Sequence, residues 1–451
     1  MRTGPGAYPM TAEQEAIWLD DHLRDGGSRY VESWVHRFDG DLDRGAVRWA
    51  LERIVARHEA LRSRFVLEDD QLVQRVLPWE PGLELETASC AAASLDEVLE
   101  ELVRRPLDVA GSPMRATLVE VAPRTAVLVV QLHHLVIDDW ALQIIEREFE
   151  EHYRAHVERR PAAVAPVELQ PGAHALARRA APKDPAVRAY WRENLRGLSP
   201  DAAVTFAAGD TAAPAGGPGE HPDRGARIAF SVDAETGGRV RAVCRRLRAT
   251  PFAVFASLVS VLLHAAREAR DVVVGTPVSH RDSAGHDLMV APMSALLPLC
   301  VTVDADASFA ELVGRVRTRG LEAITYKDIS YGELVGMTRR RGGAADGRGM
   351  VRTVLVVDDA QPSRMRLPGL DARRLYVHSG VSKFDLCLTL VARERGYLGF
   401  LEYAVDLFPA GAAERIAEDF VALLDRACDN PDGTVAWLLD QSPSPGGRRI
   451  R

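Results

Sequence analysis

The chain reads as an α/β protein of two lobes of similar size. Its 451 residues exceed what one hydrophobic core ordinarily organises. Helix-period and strand-period segments alternate in each half. Each half also supplies one long, buried-looking strand, 125–132 in the first and 271–278 in the second. The two lobes are expected at 1–178 and 179–451. No short internal repeat is visible.

In chain order, 30–38 has strand character. Residues 44–62 predict a helix, with Val47, Leu51, Ile54, Val55 and His58 on one face. Short strands are expected at 71–76 and 116–121. The segment TAVLVVQL at 125–132 is β-branched and aliphatic with no Gly or Pro, so it predicts a core strand. Over 140–156, apolar residues recur at Leu142, Ile145, Phe149 and Tyr153 opposite a charged face, which predicts a helix. The stretch 158–185 is rich in Ala, Pro and Arg and reads as a connector. A short helix carrying Tyr190, Trp191 and Leu195 follows, and 207–225 reads as a Gly/Pro/Ala-rich surface loop. The second half restarts the mixture. It predicts strands at 227–232, 271–278, 296–303, 352–357, 385–391 and 397–403. Helices are expected at 234–248, 251–269, 308–326 and 410–429.

Apolar residues are 47% and charged residues 27% of the chain, an ordinary globular composition. A net charge of −8 argues against nucleic-acid affinity, and the basic run Arg339-Arg340-Arg341 reads as a solvated loop. Five scattered cysteines without a CxxC pair exclude zinc-ribbon and thioredoxin chemistry and fit a reduced compartment. The N-terminal residues lack the apolar core of a signal peptide. No apolar run approaches the roughly 18 residues that span a bilayer. A cytoplasmic protein that engages neither membrane nor nucleic acid is expected.

Residues 133–140, HHLVIDDW, carry the chemistry. Two histidines end a core strand, and two aspartates stand where a helix begins, a rigid place for a titratable group. Strand alternation lets only one histidine face a given cleft. One reading is an inward histidine satisfied by backbone beside an exposed one. Metal ligation is a second, disfavoured because adjacent histidines rarely chelate one ion and no further His/Asp pair stands at helical spacing. Acid/base work by a neutral imidazole is the third. Asp138 or Asp139 could cap the helix, and a buried aspartate there would want a cation such as Arg281, which follows the second half's core strand. No GxSxG elbow, Walker loop or GxGxxG is present. A histidine without an enzyme nucleophile suits direct transfer between two bound substrates.

Several segments, in order, resemble the condensation domains of non-ribosomal peptide synthetases, within the chloramphenicol-acetyltransferase-like superfamily. Residues 133–139 resemble the family's HHxxxDG motif, and 57–65, RHEALRSRF, its RHExLRTxF segment. Gln14 and Trp18 fall in an SxAQxxxW-like segment, and Tyr190-Trp191 matches the YW that opens the second lobe. Residues 275–281 resemble GxPxxxR, and Leu297-Pro298-Leu299 the NTLPLR strand. The resemblance covers about 8–439. It implies two chloramphenicol-acetyltransferase-like lobes in a V-shaped pseudo-dimer with a central tunnel. Carrier proteins would deliver substrates as thioesters on phosphopantetheine arms, and no cofactor or metal would be bound by the chain itself. An acyl donor would be joined to an amine or hydroxyl acceptor in peptide natural-product biosynthesis. His134 is the implied catalytic residue. His133, Asp138 and Arg281 would support the site, and Asp139 and Trp140 would modulate the tunnel.

Three departures qualify the resemblance. Asp139 replaces the motif glycine, Ala295 and Cys300 replace the asparagine and arginine of the NTLPLR-like strand, and 326–328 replaces HQD. The HHxxxDD ending is shared with the X-domain of glycopeptide synthetases, a relative that recruits haem monooxygenases. A non-catalytic docking module serving a carrier protein and a tailoring monooxygenase is therefore the alternative expectation. The X-domain typically carries arginine at the second motif histidine, whereas His134 is intact here.

Overall fold

The computed structural model describes residues 6–22, 29–196, 198, 223–339, 349–359 and 365–440. Arg340, Arg341, Gly197 and most of the expected 207–225 loop lie outside the described residues. Strand β1 is Ala7–Pro9, helix α1 Ala12–His22, β2 Val31–Gly40, α2 Arg44–Arg57, β3 Ser63–Glu68, β4 Gln71–Val76 and β5 Leu85–Ser89. Helix α3 (Leu95–Arg104), β6 (Met114–Ala122), β7 (Thr125–His133), α4 (Asp139–Val157) and α5 (Pro171–Ala180) follow. Next come α6 (Pro185–Asn194), β8 (Gly225–Val232), α7 (Ala234–Leu247), α8 (Pro251–Arg267), β9 (Asp271–Ser279) and β10 (Ser294–Thr302). Then α9 is Phe309–Thr325, α10 Tyr331–Arg339, β11 Thr353–Asp358, β12 Leu370–Leu375, β13 Leu386–Ala392, β14 Tyr397–Ala404, α11 Ala410–Asp429 and α12 Val435–Asp440.

The chain divides into two compact units. One comprises Met1–Pro182, Ser279–Ser294 and Ser363–Ser379; the other comprises Lys183–Val278, Ala295–Pro362 and Gly380–Arg451. A single division between 178 and 179 does not describe them, because two later segments return to the first unit. One of these supplies β12, which pairs antiparallel with β2 through Leu370↔Gly40 to Leu375↔Val35.

The first unit carries a five-stranded sheet ordered β12-β2-β7-β6-β5 and a small sheet β1-β4-β3. Residues Leu128, Val130 and Leu132 of β7 face one way, into a core with Leu51 and Ile54 of α2 and Ile145 and Phe149 of α4. The alternate residues Val127 and Val129 face α3 through Leu99 and Val103. Both faces of β7 are thus covered, which is why its sequence is continuously apolar rather than alternating.

The second unit is built on a six-stranded mixed sheet, β10-β9-β11-β13-β14-β8. Strand β11 runs parallel to β9 and β13, and β14 is antiparallel to β13 and β8. Apolar faces of α7, α8, α9 and α11 build the larger core on this sheet. Trp191 of α6 and Leu334 of α10 build a smaller one with Val273 and Leu297. Among the described residues no single helix is long and apolar enough to cross a membrane.

Two sequence expectations are corrected. The helix expected over 44–62 stops at Arg57. His58 turns to extended backbone, and a short 3-10 turn over Glu59–Arg62 leads into β3. The expected connector at 158–185 contains α5, whose Gly172 lies so close to the Tyr8 ring that an added Cβ would collide with it.

Candidate active site

The site is built at the end of β7, within the first unit. In the antiparallel β2–β7 ladder Val31 stands opposite His133 and Glu32 opposite Leu132. One step further, the His134 N–H donates to the Tyr30 carbonyl at 2.7 Å. The strand then breaks into a turn closed by the Val136 N–H donating to the His133 carbonyl at 2.9 Å. Leu135, Val136 and Ile137 are fully buried there. Gln14 of α1 fastens the same turn, its side-chain amide donating to the Leu135 carbonyl at 2.9 Å.

The two histidines differ as alternation requires. His133 is wholly buried. Its Nδ1 accepts from the Leu135 N–H at 3.2 Å, which leaves the ring proton on Nε2 when the ring is neutral, and Nε2 faces Asp21 Oδ2 at 3.6 Å. The His134 side chain retains 30% exposure, with Nε2 3.9 Å from Glu32 Oε1. His134 Nδ1 is enclosed.

Asp138 caps α4 and does more than cap. Its Oδ1 accepts from the Ala141 N–H at 2.8 Å and from Arg281 Nη2 at 3.0 Å. Its Oδ2 accepts from the Met293 N–H at 3.0 Å and the Ser294 hydroxyl at 3.3 Å. Arg281 continues outward, donating to the carbonyls of His286, Met289 and Ala291. Both side chains are almost completely buried. One ion pair therefore ties the first turn of α4 to the whole segment between β9 and β10.

Asp139 is exposed as the first residue of α4, where a carboxylate favours the positive helix end. Trp140 is 44% exposed, donates its indole N–H to the Asp287 carbonyl at 3.1 Å and lies under the Arg281 guanidinium at 5.9 Å. The structure thus brings together His133, His134, Asp138, Asp139, Trp140 and Arg281, and adds Glu32, Asp21 and Gln14.

The 57–65 segment has a packing role. Arg57 Nε donates to Glu148 Oε1 at 2.9 Å, and His58 Nε2 lies 2.8 Å from Glu148 Oε2. Burial pushes the Glu148 carboxyl up, but His58 and Arg57 outweigh it and hold it below the ordinary carboxylate value. The cluster fastens the end of α2 to α4. Among the described residues no group of three or more His, Cys, Asp or Glu stands where it could hold a metal ion. What the arrangement offers is a partly exposed imidazole on an immobilised backbone, with the Glu32 carboxylate 3.9 Å from its Nε2.

Comparison with known proteins places this geometry in context. Residues 5–441 match the condensation-domain family. The dimodular nonribosomal peptide synthase of Bacillus subtilis is 28% identical over 451 residues, covering 96% of this chain and 19% of that protein. The phosphinothricin tripeptide synthetase PhsC of Streptomyces viridochromogenes is 28% identical over 444 residues, covering 96% and 40%. The chain thus spans less than half the length of the curated relatives it matches. The X-domain from teicoplanin biosynthesis superposes with a TM-score of 0.82 at 24% identity, covering 97% of this chain and 98% of that one. A further structure holds that X-domain in complex with OxyB. The first condensation domain of the CDA synthetase superposes at 0.81 with 20% identity, covering 95% and 98%. These likenesses show the fold, two α/β lobes each built on a mixed sheet.

Proposed function

The chain belongs to the condensation-domain family, and from that premise we propose that it is an acyltransferase joining a carrier-bound acyl thioester to an amine or hydroxyl acceptor. Amide or ester formation in non-ribosomal peptide biosynthesis is the reaction. The observation that carries this reading is His134: a partly exposed imidazole on backbone held at both ends. Its Nε2 takes the proton from the nucleophile as the nucleophile's lone pair attacks the thioester carbonyl. When the tetrahedral intermediate collapses, the carbon–sulfur bond breaks and the sulfur leaves as thiolate. The imidazolium returns the proton to that sulfur. Asp138 and Arg281 handle no protons; they hold the turn that aims the ring. Carrier proteins are the proposed partners, presenting both substrates on phosphopantetheine.

The test is turnover of a carrier-loaded donor thioester with a panel of amines and alcohols, beside a His134→Ala variant. Product is expected from the parent, with about a hundredfold loss in the variant. Product formation indifferent to the substitution would remove His134 from the chemistry. A second reading is favoured by Asp139, which gives the motif the two-aspartate ending of the X-domain. In that reading the chain docks a carrier protein and a tailoring monooxygenase without catalysing transfer. Absence of turnover with every substrate pair, together with tight binding of such an oxygenase, would decide for it.

A further inference from the structure

We propose that Arg53 and His152, at the seam between α2 and α4, form a binding site for a small organic acid, its carboxylate on these two side chains and its apolar part on Trp49 and Trp79. The proposal is independent of the acyltransferase reading. The two helices run antiparallel. The Asp43 N–H, just before α2, donates to the Tyr153 hydroxyl near the end of α4, whereas Arg57 at the end of α2 meets Glu148 a turn and more earlier. Trp49, Arg53 and Arg57 follow at one-turn spacing on α2, and His156, His152 and Glu148 descend at the same spacing on α4. Two of the three rungs are complementary. The Trp49 and His156 rings lie 5.6 Å apart, and Arg57 pairs with Glu148 at 2.9 Å. The middle rung sets a guanidinium, Arg53, against an imidazole, His152, which its charge reaches.

No side chain of the fold neutralises Arg53. Among the described residues none of its nitrogens has a hydrogen-bond or ion-pair partner, and only Nε is enclosed. The neighbouring acids are engaged elsewhere. Glu148 serves Arg57 and His58, and Glu151 serves Arg160 and the Ala163 N–H. Glu52 accepts from the Gly82 and Leu83 N–H groups, which fastens the loop carrying Trp79 to α2. Aromatic rings hold Arg53 instead. Its guanidinium carbon is 4.5 Å from the Trp49 centroid and 5.1 Å from that of Trp79. Stacking of this kind occupies the flat faces of a guanidinium and leaves its rim of N–H donors for a carboxylate. His152 is 6% exposed, and its enclosed Nε2 has no partner among the described residues. A polar atom buried in that way costs free energy until a partner meets it.

Charge and surface set the class of ligand. Burial pushes the His152 ring below its ordinary value, Arg57 and Arg53 add to this, and Glu148 and Glu151 do not offset it. Near neutral pH the ring is therefore an uncharged donor beside one fixed cation. That pair matches a monoanion with two oxygens better than a phosphate dianion. Trp49 and Trp79 remain 40% and 37% exposed, so an apolar group attached to the carboxylate has indole surface to cover.

The probes are phenylacetate, its neutral analogue phenylacetamide, acetate and inorganic phosphate, titrated by calorimetry and by the indole N–H resonances. Phenylacetate is expected to bind the parent with a Kd below about 10 mM. It should shift the two resonances that Trp49→Phe and Trp79→Phe remove. Arg53→Gln should weaken phenylacetate by about tenfold or more, the value of a lost charged hydrogen bond, and phenylacetamide should bind the parent as weakly as that. Trp79→Ala should weaken phenylacetate and leave acetate within about twofold, because only the apolar contact is lost. Thermal unfolding of each variant shows that it is folded, and if Arg53→Gln is not, the amide comparison and Trp79→Ala carry the test. No saturable binding of phenylacetate, equal affinity for the acid and its amide, indifference to Arg53→Gln in a folded variant, or tighter binding of phosphate would each overturn the proposal.

Discussion

Replacing Arg281 by alanine removes a guanidinium that is only 4% exposed from a carboxylate that is 3% exposed. The variant strands Asp138 as a buried charge with three remaining donors, the Ala141 and Met293 N–H groups and the Ser294 hydroxyl. It also strips donors from the carbonyls of His286, Met289 and Ala291. Breaking such a buried pair by removing one partner costs about 3–5 kcal/mol. In a unit of this size that corresponds to a fall in Tm of roughly 10 °C. Arg281→Lys should lose most of the same stability. One ammonium cannot reach a carboxylate and three carbonyls that the planar fork spans together. The assay is thermal and urea unfolding of the parent, Asp138→Asn, Arg281→Ala and the double variant. The double variant should be more stable than the sum of the singles predicts, with a coupling energy of at least about 1 kcal/mol. Unfolding of Arg281→Ala at the parent's midpoint, or strict additivity in the cycle, would refute the view that this pair holds the turn.

Two further outcomes follow from the same region. Burial, with Arg374 nearby, pushes the His36 imidazole down to about 3, and Glu146 at 3.8 Å does not offset that. Because the folded pKa lies below the unfolded value near 6.5, the unfolded chain takes up a proton first. Stability therefore falls as pH drops from about 6.5 towards 3. Between pH 7 and pH 5 His36 accounts for about 2 kcal/mol of that fall. His36→Leu should show the shallower pH slope by urea titration, and identical slopes would contradict the assignment. Asp139→Gly should cost about 0.5–1 kcal/mol, the value of a carboxylate in the first turn of α4. Turnover with the substrate pair used for His134 should remain at or above the parent's, and a loss beyond tenfold would give Asp139 a chemical role.

Local sequence made the core strands legible, because runs such as 125–132 and 271–278 are apolar on both faces and need no partner to be recognised. The observed β7 and β9 differ from those readings by a single residue at the C-terminal end. Where the expectation failed, a distant residue decides the local structure. Helix periodicity continues past Arg57, but His58 is drawn into a 2.8 Å contact with Glu148, ninety residues away. β12, with the sequence LDARRL, carries no strand pattern of its own and is made a strand by the open edge of β2. Glu32 was hidden for the same reason. Alternation along β2 fixes which face it occupies, but only the register with β7 shows that this is the face of His134.

The described histidines of the first unit divide by what immobilises them. His36, His58, His133, His152 and His280 are buried, and the first four are explained by packing or a nearby carboxylate. His134 alone within 131–138 is not buried. Its neighbours on both sides are sealed, and its backbone is tied to Tyr30 before the turn and, through Leu135, to Gln14 within it. Four residues later Asp138 anchors the chain again. Holding a segment this firmly costs conformational entropy that the burial of Leu135, Val136 and Ile137 offsets. A ring needed only for packing would have been drawn inward with them. That the fold fixes the backbone and leaves the imidazole partly exposed beside a carboxylate is what supports assigning chemistry to His134 and structure to His133.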